Sequence, residues 1–222
     1  MDFTWDFSAV LQNWPVLLRG VGVTAGLWAV AFPAAMALGV LIALAARSPR
    51  RLLGAGARAY MELFRNIPIL IQLVWFFYAF PIVTGLQLSP YVAALLALTL
   101  NASAYCSEIF RGGLASLPKG QWEGASAIGM TRAQVLRRVV LPQVLKRMLP
   151  AFTNRGIELA KNTSIASVIA VHELMYQGRA LSAVSYRPLE MLTAVAVIYF
   201  VLIYPGAYAA GRLEKRLALR GA

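Results

Sequence analysis

The sequence predicts an all-α protein, an integral membrane bundle of five transmembrane helices, on three grounds. The first is composition: 59% of the 222 residues are hydrophobic and 14% charged, with a mean hydropathy of +0.65. A soluble domain of that make-up would expose more apolar surface than water tolerates. The second is length, because several windows reach the roughly 20 apolar residues needed to cross about 30 Å of hydrocarbon. The third is the placement of Lys and Arg, which cluster after alternate windows, as short cytoplasmic loops require.

Taken in order, residues 1–20 carry Asp2 and Asp6 where a signal peptide would carry Lys or Arg, so they are expected to remain in the mature protein. Trp5, Phe7 and Trp14 there suit a segment lying in the outer interface. A first span is expected near Val21–Ala46, kinked at Pro33 and followed by Arg47, Arg50, Arg51 and Arg58. The second, near Ile67–Thr84, opens with Asn66 as N-cap and Pro68 in the first turn, where a missing N–H costs nothing. Its Trp75, Phe76, Phe77 and Tyr78 mark lipid or interface contact near the outer boundary. The next loop, Pro81 to Ser89, has no charge.

The third span, near Pro90–Phe110, places Asn101, Tyr105 and Glu108 on one face and holds Cys106, which reads as a small buried hydrophobe. The basic loop 112–147 is flanked or occupied by Arg111, Lys119, Arg132, Arg137, Arg138, Lys146 and Arg147. A fourth span is expected near Met148–Val171. The segment beyond it, leading into a fifth span near Leu189–Ala210 that contains Pro205, carries only His172, Glu173, Arg179, Arg187 and Glu190 as acidic or basic residues. Arg212, Lys215, Arg216 and Arg220 close the chain. Alternation then puts the N-terminus outside and the C-terminus inside. The net charge of +12 reads as a topology signal beside an anionic inner leaflet, not as a nucleic-acid footprint. No internal repeat or linker is visible, so residues 1–222 form one membrane domain.

The stretch from Gly120 to Pro142 is a polar, basic island in this apolar chain. Two short helices with a glycine hinge are expected. Gly129 permits the turn, Thr131 with Gln134 forms a capping box, and Pro142 stops the second helix after Leu141. Val135, Leu136, Val139 and Val140 share its apolar face, with Arg132, Arg137 and Arg138 mostly off it. Glu123, Ala125, Gly129, Leu141 and Pro142 at this spacing resemble the EAA loop of ATP-binding-cassette importer permeases. Gly124 stands where that pattern usually has alanine, which loosens the helix without removing a contacting side chain.

Further passages narrow the resemblance. Arg65, Pro68 and Gln72 at the start of the second span, 107–113 at the inner end of the third, and Lys161-Asn162-Thr163-Ser164 in the fourth are similar to signatures of the polar amino acid branch, which serves histidine, glutamine, glutamate, arginine and opines. The resemblance covers roughly residues 20 to 215. It implies a bacterial cytoplasmic membrane protein that grips its ATPase through the EAA loop, a coupling helix. It also implies a second permease subunit, identical or homologous, two ATP-binding subunits that hold the ATP and Mg, and a periplasmic or lipid-anchored solute-binding protein.

The fourth span is the most informative about chemistry. Asn154, Glu158 and Asn162 recur every four residues beside Lys161, so one stripe of the helix is polar. Because a charge near mid-bilayer costs about 2.5–3.5 kcal/mol, the stripe should face the bundle interior, a water-filled path or a partner subunit. One reading is a substrate path with Asn101, Tyr105 and Thr163, in which Lys161 takes the carboxylate of an amino acid and Glu158 or Glu108 its ammonium. The other is an internal Glu158–Lys161 ion pair with amide bonds between helices. Where relatives often have aspartate after the lysine, this chain has Asn162. The local charge therefore tilts positive through Lys161 and Arg155 unless Glu158 neutralises one, which favours a neutral or acidic amino acid.

Catalytic parts are missing. One histidine, His172, no phosphate-binding loop and no cysteine pair leave metal, triad and nucleotide chemistry without their residues. The chain is therefore expected to be a non-enzymatic translocation subunit working by alternating access, with energy from another chain. The alternative is a secondary transporter or a channel subunit for a small polar solute, which would need inverted repeats or an ion site that the sequence does not display. Neither the particular amino acid nor the choice between a homodimer and a heterodimer of permeases follows from the sequence.

Overall fold

The computed structural model describes residues 4–219, so Asp2 and Arg220 lie outside the described residues, as do the side chains of Lys119, Lys215 and Arg216. Among the described residues every regular element is helical: α1 (Ser8–Gln12), α2 (Trp14–Ala46), α3 (Arg51–Asn66), α4 (Ile69–Val74), α5 (Phe80–Thr84), α6 (Pro90–Ala115), α7 (Lys119–Ala127), α8 (Arg132–Gln134), α9 (Leu141–Asn162), α10 (Leu174–Ser185) and α11 (Pro188–Leu219). A π-helical stretch, Trp75–Ala79, joins α4 to α5, and another, Val135–Val140, joins α8 to α9. A 3-10 segment, Thr163–Ile169, continues from α9.

The two π-helical stretches share a cause. Each precedes a proline near the start of the following helix, Pro81 in α5 and Pro142 in α9. Proline offers no N–H, and its ring collides with the carbonyl one turn back; a wider turn just before it relieves both defects without ending the helix. Pro142 therefore does not stop the helix after Leu141, contrary to expectation, and residues 132–162 form one continuous rod. The wider turn also changes which residues face inward. Val135 and Val140 are buried, whereas Leu136 is 44% exposed and leaves the expected apolar face.

Among the described residues three helices are long and apolar enough to cross a membrane: Trp14–Ala46, Pro90–Ala115 and the 188–213 part of α11. Arg51–Asn66 with Ile69–Thr84 makes a fourth if that pair, bent by 105°, is counted as one span. Helix α9, the expected fourth of five spans, is set apart by its charge, since Lys146, Arg147, Arg155, Glu158 and Lys161 all lie within it. Helices α3 and α10 occupy segments expected to be loops or span edges. Arg51–Asn66 nevertheless has an amphipathic pattern, with Gly54, Ala57 and Met61 buried at spacings of three and four.

The core is built on α2 against α6, and α6 is the most enclosed span, with 56% of its most apolar window buried. On α2, Leu27, Ala31, Ala35, Gly39 and Ala43 recur every four residues and are all buried. Leu27, Ala31 and Ala35 share one buried cluster with Ala94, Ala97, Leu98, Ala102 and Cys106 of α6, and Gly39 stands directly against Cys106. Small residues at this spacing let two backbones approach closely, which supplies packing where lipid and side chains are equally apolar. Cys106 is buried, as its expected packing role requires.

The end where α2 and α11 begin is clasped by Glu173, the N-cap of α10. Its fully buried carboxylate accepts from the backbone N–H of Met175 (2.9 Å) and Tyr176 (2.7 Å), the Tyr199 hydroxyl (2.6 Å) and the Thr24 hydroxyl (3.5 Å). These bonds tie α2, α10 and α11 together. The N-terminal segment is held there too, through Arg187 to Asp6 at 3.0 Å. The Ser8 bonds, with Arg187 nearby, hold the Asp6 carboxyl below its ordinary range.

The close α2–α6 approach generates a stability prediction. A Cβ at Gly39 would stand 2.6 Å from Cys106 Cβ, 3.0 Å from Ser107 N and 3.1 Å from Ser103 O, and backbone atoms cannot yield. Gly39→Ala is expected to cost about 1–3 kcal/mol as overpacking. Gly22→Ala on the same helix meets nothing within 4 Å and should be neutral or slightly stabilising. Thermal melts of the purified variants in one detergent check this, and equal midpoints would contradict the packing argument.

Candidate functional site

The first candidate region forms where α3 breaks into α4. Pro68 pushes Ile67 out of the helical region, to φ −91° and ψ 128°, which ends α3 and frees its last carbonyls. Side chains from two other places answer them. Gln72 Nε2 donates to Phe64 O at 2.9 Å and to Ile67 O at 2.7 Å. Asn101 Nδ2, about midway along α6, donates to Phe64 O at 2.9 Å, and the Tyr105 hydroxyl donates to Arg65 O at 3.2 Å. Asn66 is the last residue of α3 and bonds Glu62, so it does not cap α4; Pro68 stands at that N-cap position.

Arg155 of α9 closes the cluster, although its sequence position signals only a charge. It is buried, with Nη2 donating to Asn101 Oδ1 at 2.8 Å, Nη1 2.9 Å from Glu158 Oε2, and the guanidinium 4.0 Å over the Tyr105 ring. Arg65 lies 5.8 Å from the centre of the same ring and reaches Glu108 Oε2 at 3.5 Å. Glu108 also pairs with Arg111, three residues on, so its carboxylate is engaged by two arginines. Arg155 Nε has no hydrogen-bond partner among the described residues.

The seven residues expected along a substrate path therefore divide. Asn101 and Thr163 are buried, Tyr105 and Asn162 are half-buried, and Asn154, Glu158 and Lys161 are exposed on one face of α9. Asn101 and Tyr105 spend their polar atoms inside the fold, and Thr163 donates to Ala160 O at 2.7 Å. Glu158 pairs with Arg155, not with Lys161 as one reading had it. Lys161 borders an open cavity of about 410 Å³ with Ser164 and with Tyr199 and Tyr204 of α11. A carboxylate and an ammonium thus sit on one exposed stripe, suited to groups of opposite sign on a zwitterion.

The second region is built around α7. Gly129 adopts φ +81°, and the N–H of Met130 reaches back to Ala125 O at 3.2 Å, so the chain reverses sharply after α7. The Thr131–Gln134 capping box is formed at both ends, with Thr131 N to Gln134 Oε1 at 2.9 Å and Gln134 N to Thr131 Oγ1 at 3.4 Å. Ala125 is buried in the cluster that includes Val135 and Val140, so α7 rests on the base of the 132–162 rod. Glu123, Leu141 and Pro142 are exposed, as are Trp122 and, at 78%, Ile128. At Gly124 a Cβ would meet nothing within 4 Å, so alanine fits there as well.

Residues 19–219 match the family described as the binding-protein-dependent transport system inner membrane component. The glutamine transport system permease protein of Escherichia coli (strain K12) is 33% identical over 220 residues, covering 99% of this chain and 100% of that one. The L-cystine transport system permease protein of Bacillus subtilis (strain 168) is 37% identical over 218 residues, covering 96% and 91%. A chain of a crystal structure of an amino acid ABC transporter with histidines superposes with a TM-score of 0.90 at 32% identity, covering 96% and 100%.

The polar cluster generates a ranking. Asn101→Leu strands the buried Arg155 Nη2 and is expected to cost the most, about 3 kcal/mol or more. Gln72→Leu leaves Ile67 O unanswered and should cost about 1–3 kcal/mol, while Tyr105→Phe keeps the ring beneath Arg155 and should cost about 1 kcal/mol. Unfolding of the purified variants measures the order; a Tyr105→Phe loss equal to that of Asn101→Leu would show that Arg155 is not the element being supported.

Proposed function

The chain belongs to the binding-protein-dependent transport system inner membrane component family, among the polar amino acid permeases of ABC importers, and on that premise we propose that it carries a polar amino acid into the cytoplasm by alternating access. The observation that carries the reading is the uninterrupted rod 132–162. One end supports α7 and its exposed Glu123; the other bears the Glu158 and Lys161 stripe. A push on α7 is therefore passed toward the stripe along one helical path, whose ladder lacks a bond only where Pro150 stands inside α9. Binding of ATP closes a pair of partner ATPases, α7 follows, and the stripe is presented alternately to each side.

In this reading the bent pair α3–α4 and helix α9 complete five spans, with the N-terminus outside and the C-terminus in the cytoplasm of a bacterial inner membrane. The charges of α9 then face a water-filled path or the second permease subunit, identical or homologous, which meets the cost of placing them at membrane depth. Residues 112–147 form the cytoplasmic coupling loop, with Glu123, Ala125, Gly129, Leu141 and Pro142 shaping the contact with the ATPase. A periplasmic or lipid-anchored binding protein delivers the solute from outside, and ATP and Mg reside in the two partner ATPases. Glutamine, cystine and arginine appear in the names of relatives of comparable identity, which supports a polar amino acid as the substrate class.

Two measurements test this. Glu123 is the only acidic residue between Arg111 and Arg155, in a strongly basic stretch. Changing Glu123→Lys should leave membrane insertion intact yet reduce substrate-stimulated ATPase activity of the assembled complex by about tenfold or more, the scale for reversing an interfacial charge. Undiminished, substrate-stimulated hydrolysis would remove Glu123 from the coupling contact. For topology, a reporter active only in the cytoplasm should give signal when fused after Arg220 and none when fused within residues 183–187; the opposite pattern would overturn the five-span arrangement.

A further inference from the structure

We propose that Arg155 sets the charge selectivity of the translocation path: by claiming Glu158 as its counter-ion it excludes amino acids with cationic side chains and admits neutral and acidic ones. The inference rests on reading the exposed stripe of α9 as part of that path. Its basis is the asymmetry of the Arg155–Glu158 pair. The Arg155 side chain is 4% exposed and that of Glu158 58%. Arg155 cannot leave, because Asn101 Oδ1 holds Nη2 at 2.8 Å and the Tyr105 ring lies under the guanidinium at 4.0 Å. Neither of those partners carries charge, and Glu108, the other nearby carboxylate, is engaged by Arg65 and Arg111. Glu158 alone neutralises Arg155 among the described residues.

The consequence falls on the solute. A permeating amino acid meets a carboxylate whose Oε2 is already committed to Arg155, leaving Oε1 for the α-ammonium. One helical turn further along, Lys161 forms no ion pair among the described residues and lines the cavity beside Tyr199 and Tyr204. The stripe together with the buried Arg155 behind it therefore has a net charge of +1 when Arg155, Glu158 and Lys161 are summed. The α-carboxylate has Lys161 as its partner, and a second cationic group on the solute has no acceptor and faces repulsion. Selection arises from a charge that the solute never touches, so Arg155 is a positioning residue for Glu158, not a ligand.

Displacement of radiolabelled glutamine from the full-length chain in lipid nanodiscs, by unlabelled arginine, glutamate and glutamine, tests this. Wild type should show glutamine and glutamate displacing far better than arginine. Arg155→Met frees the whole Glu158 carboxylate and should improve arginine relative to glutamine by about tenfold or more, the effect of one unit charge at contact distance in a partly aqueous site. Glu158→Gln, at the exposed end of the pair, leaves Arg155 and Lys161 unopposed and should improve glutamate relative to glutamine by a similar factor. The two variants must move the rank order in opposite directions, which a loss of packing alone would not do. Should Arg155→Met fail to fold, as its melting profile would show, Glu158→Gln decides alone. A folded variant that keeps the wild-type order overturns the assignment, as does a wild type that prefers arginine. If glutamine and the competitors fail to bind wild type and variants alike, the reading of the stripe as a substrate path falls, and this inference with it.

Discussion

A helix that breaks inside an apolar bundle must find donors for the carbonyls it releases, because no water is there to supply them. That constraint organises the centre of the molecule. The break after Asn66 exposes the carbonyls of Phe64, Arg65 and Ile67, and Gln72, Asn101 and Tyr105 answer them. Two of those three donors are also what Arg155 rests on. The bend, the middle of α6 and the charged helix α9 are thus one hydrogen-bonded unit, and removing any member leaves a polar group stranded in hydrocarbon-like surroundings.

Around that unit the molecule divides labour by residue size. Where α2 meets α6 the α2 side of the contact is made of Leu27, three alanines and one glycine at four-residue spacing, which brings the backbones close at Gly39 and leaves no room there for adjustment. At the opposite extreme, α11 has only 11% of its most apolar window buried. The rod 132–162 packs against α6 and α11 alike, and α11, though its outer face is open, is tied to α2 and α10 through Tyr199 and Glu173.

The sequence makes the membrane class, the apolar spans α2, α6 and α11, and the turn at Gly129 with its capping box legible, because each is a local signal: a run of apolar residues, a glycine at positive φ, a Thr and Gln three apart. It misleads wherever a tertiary partner decides the outcome. Pro142 reads as a stop because a proline inside a helix ordinarily is one, and no sequence pattern announces the π-helical turn that absorbs it. Asn101 reads as a solute ligand because a mid-span amide is costly; its partners, Phe64 O and the Arg155 guanidinium, are 37 and 54 residues distant in the chain. Arg155 itself is off the four-residue stripe and so escapes a search by periodicity, although a lone arginine on an otherwise apolar inward face is a signal that a helical projection could have raised. Glu173 and Glu190 read as loop charges, yet both are buried.

The wide turn at Val135–Val140 has an implication for heredity as well as for mechanics. A π-helical turn holds one residue more than the α-helical turn it replaces. A lineage could therefore lose or gain a single codon at this seam without re-aiming the Glu123 end relative to the Glu158 end. Within a regular α-helical turn the same change would swing one end around the axis by about 100°, the angular step of one residue in an α-helix. The seam is thus a place where the length of the gene can drift while the alignment of its two working ends is preserved.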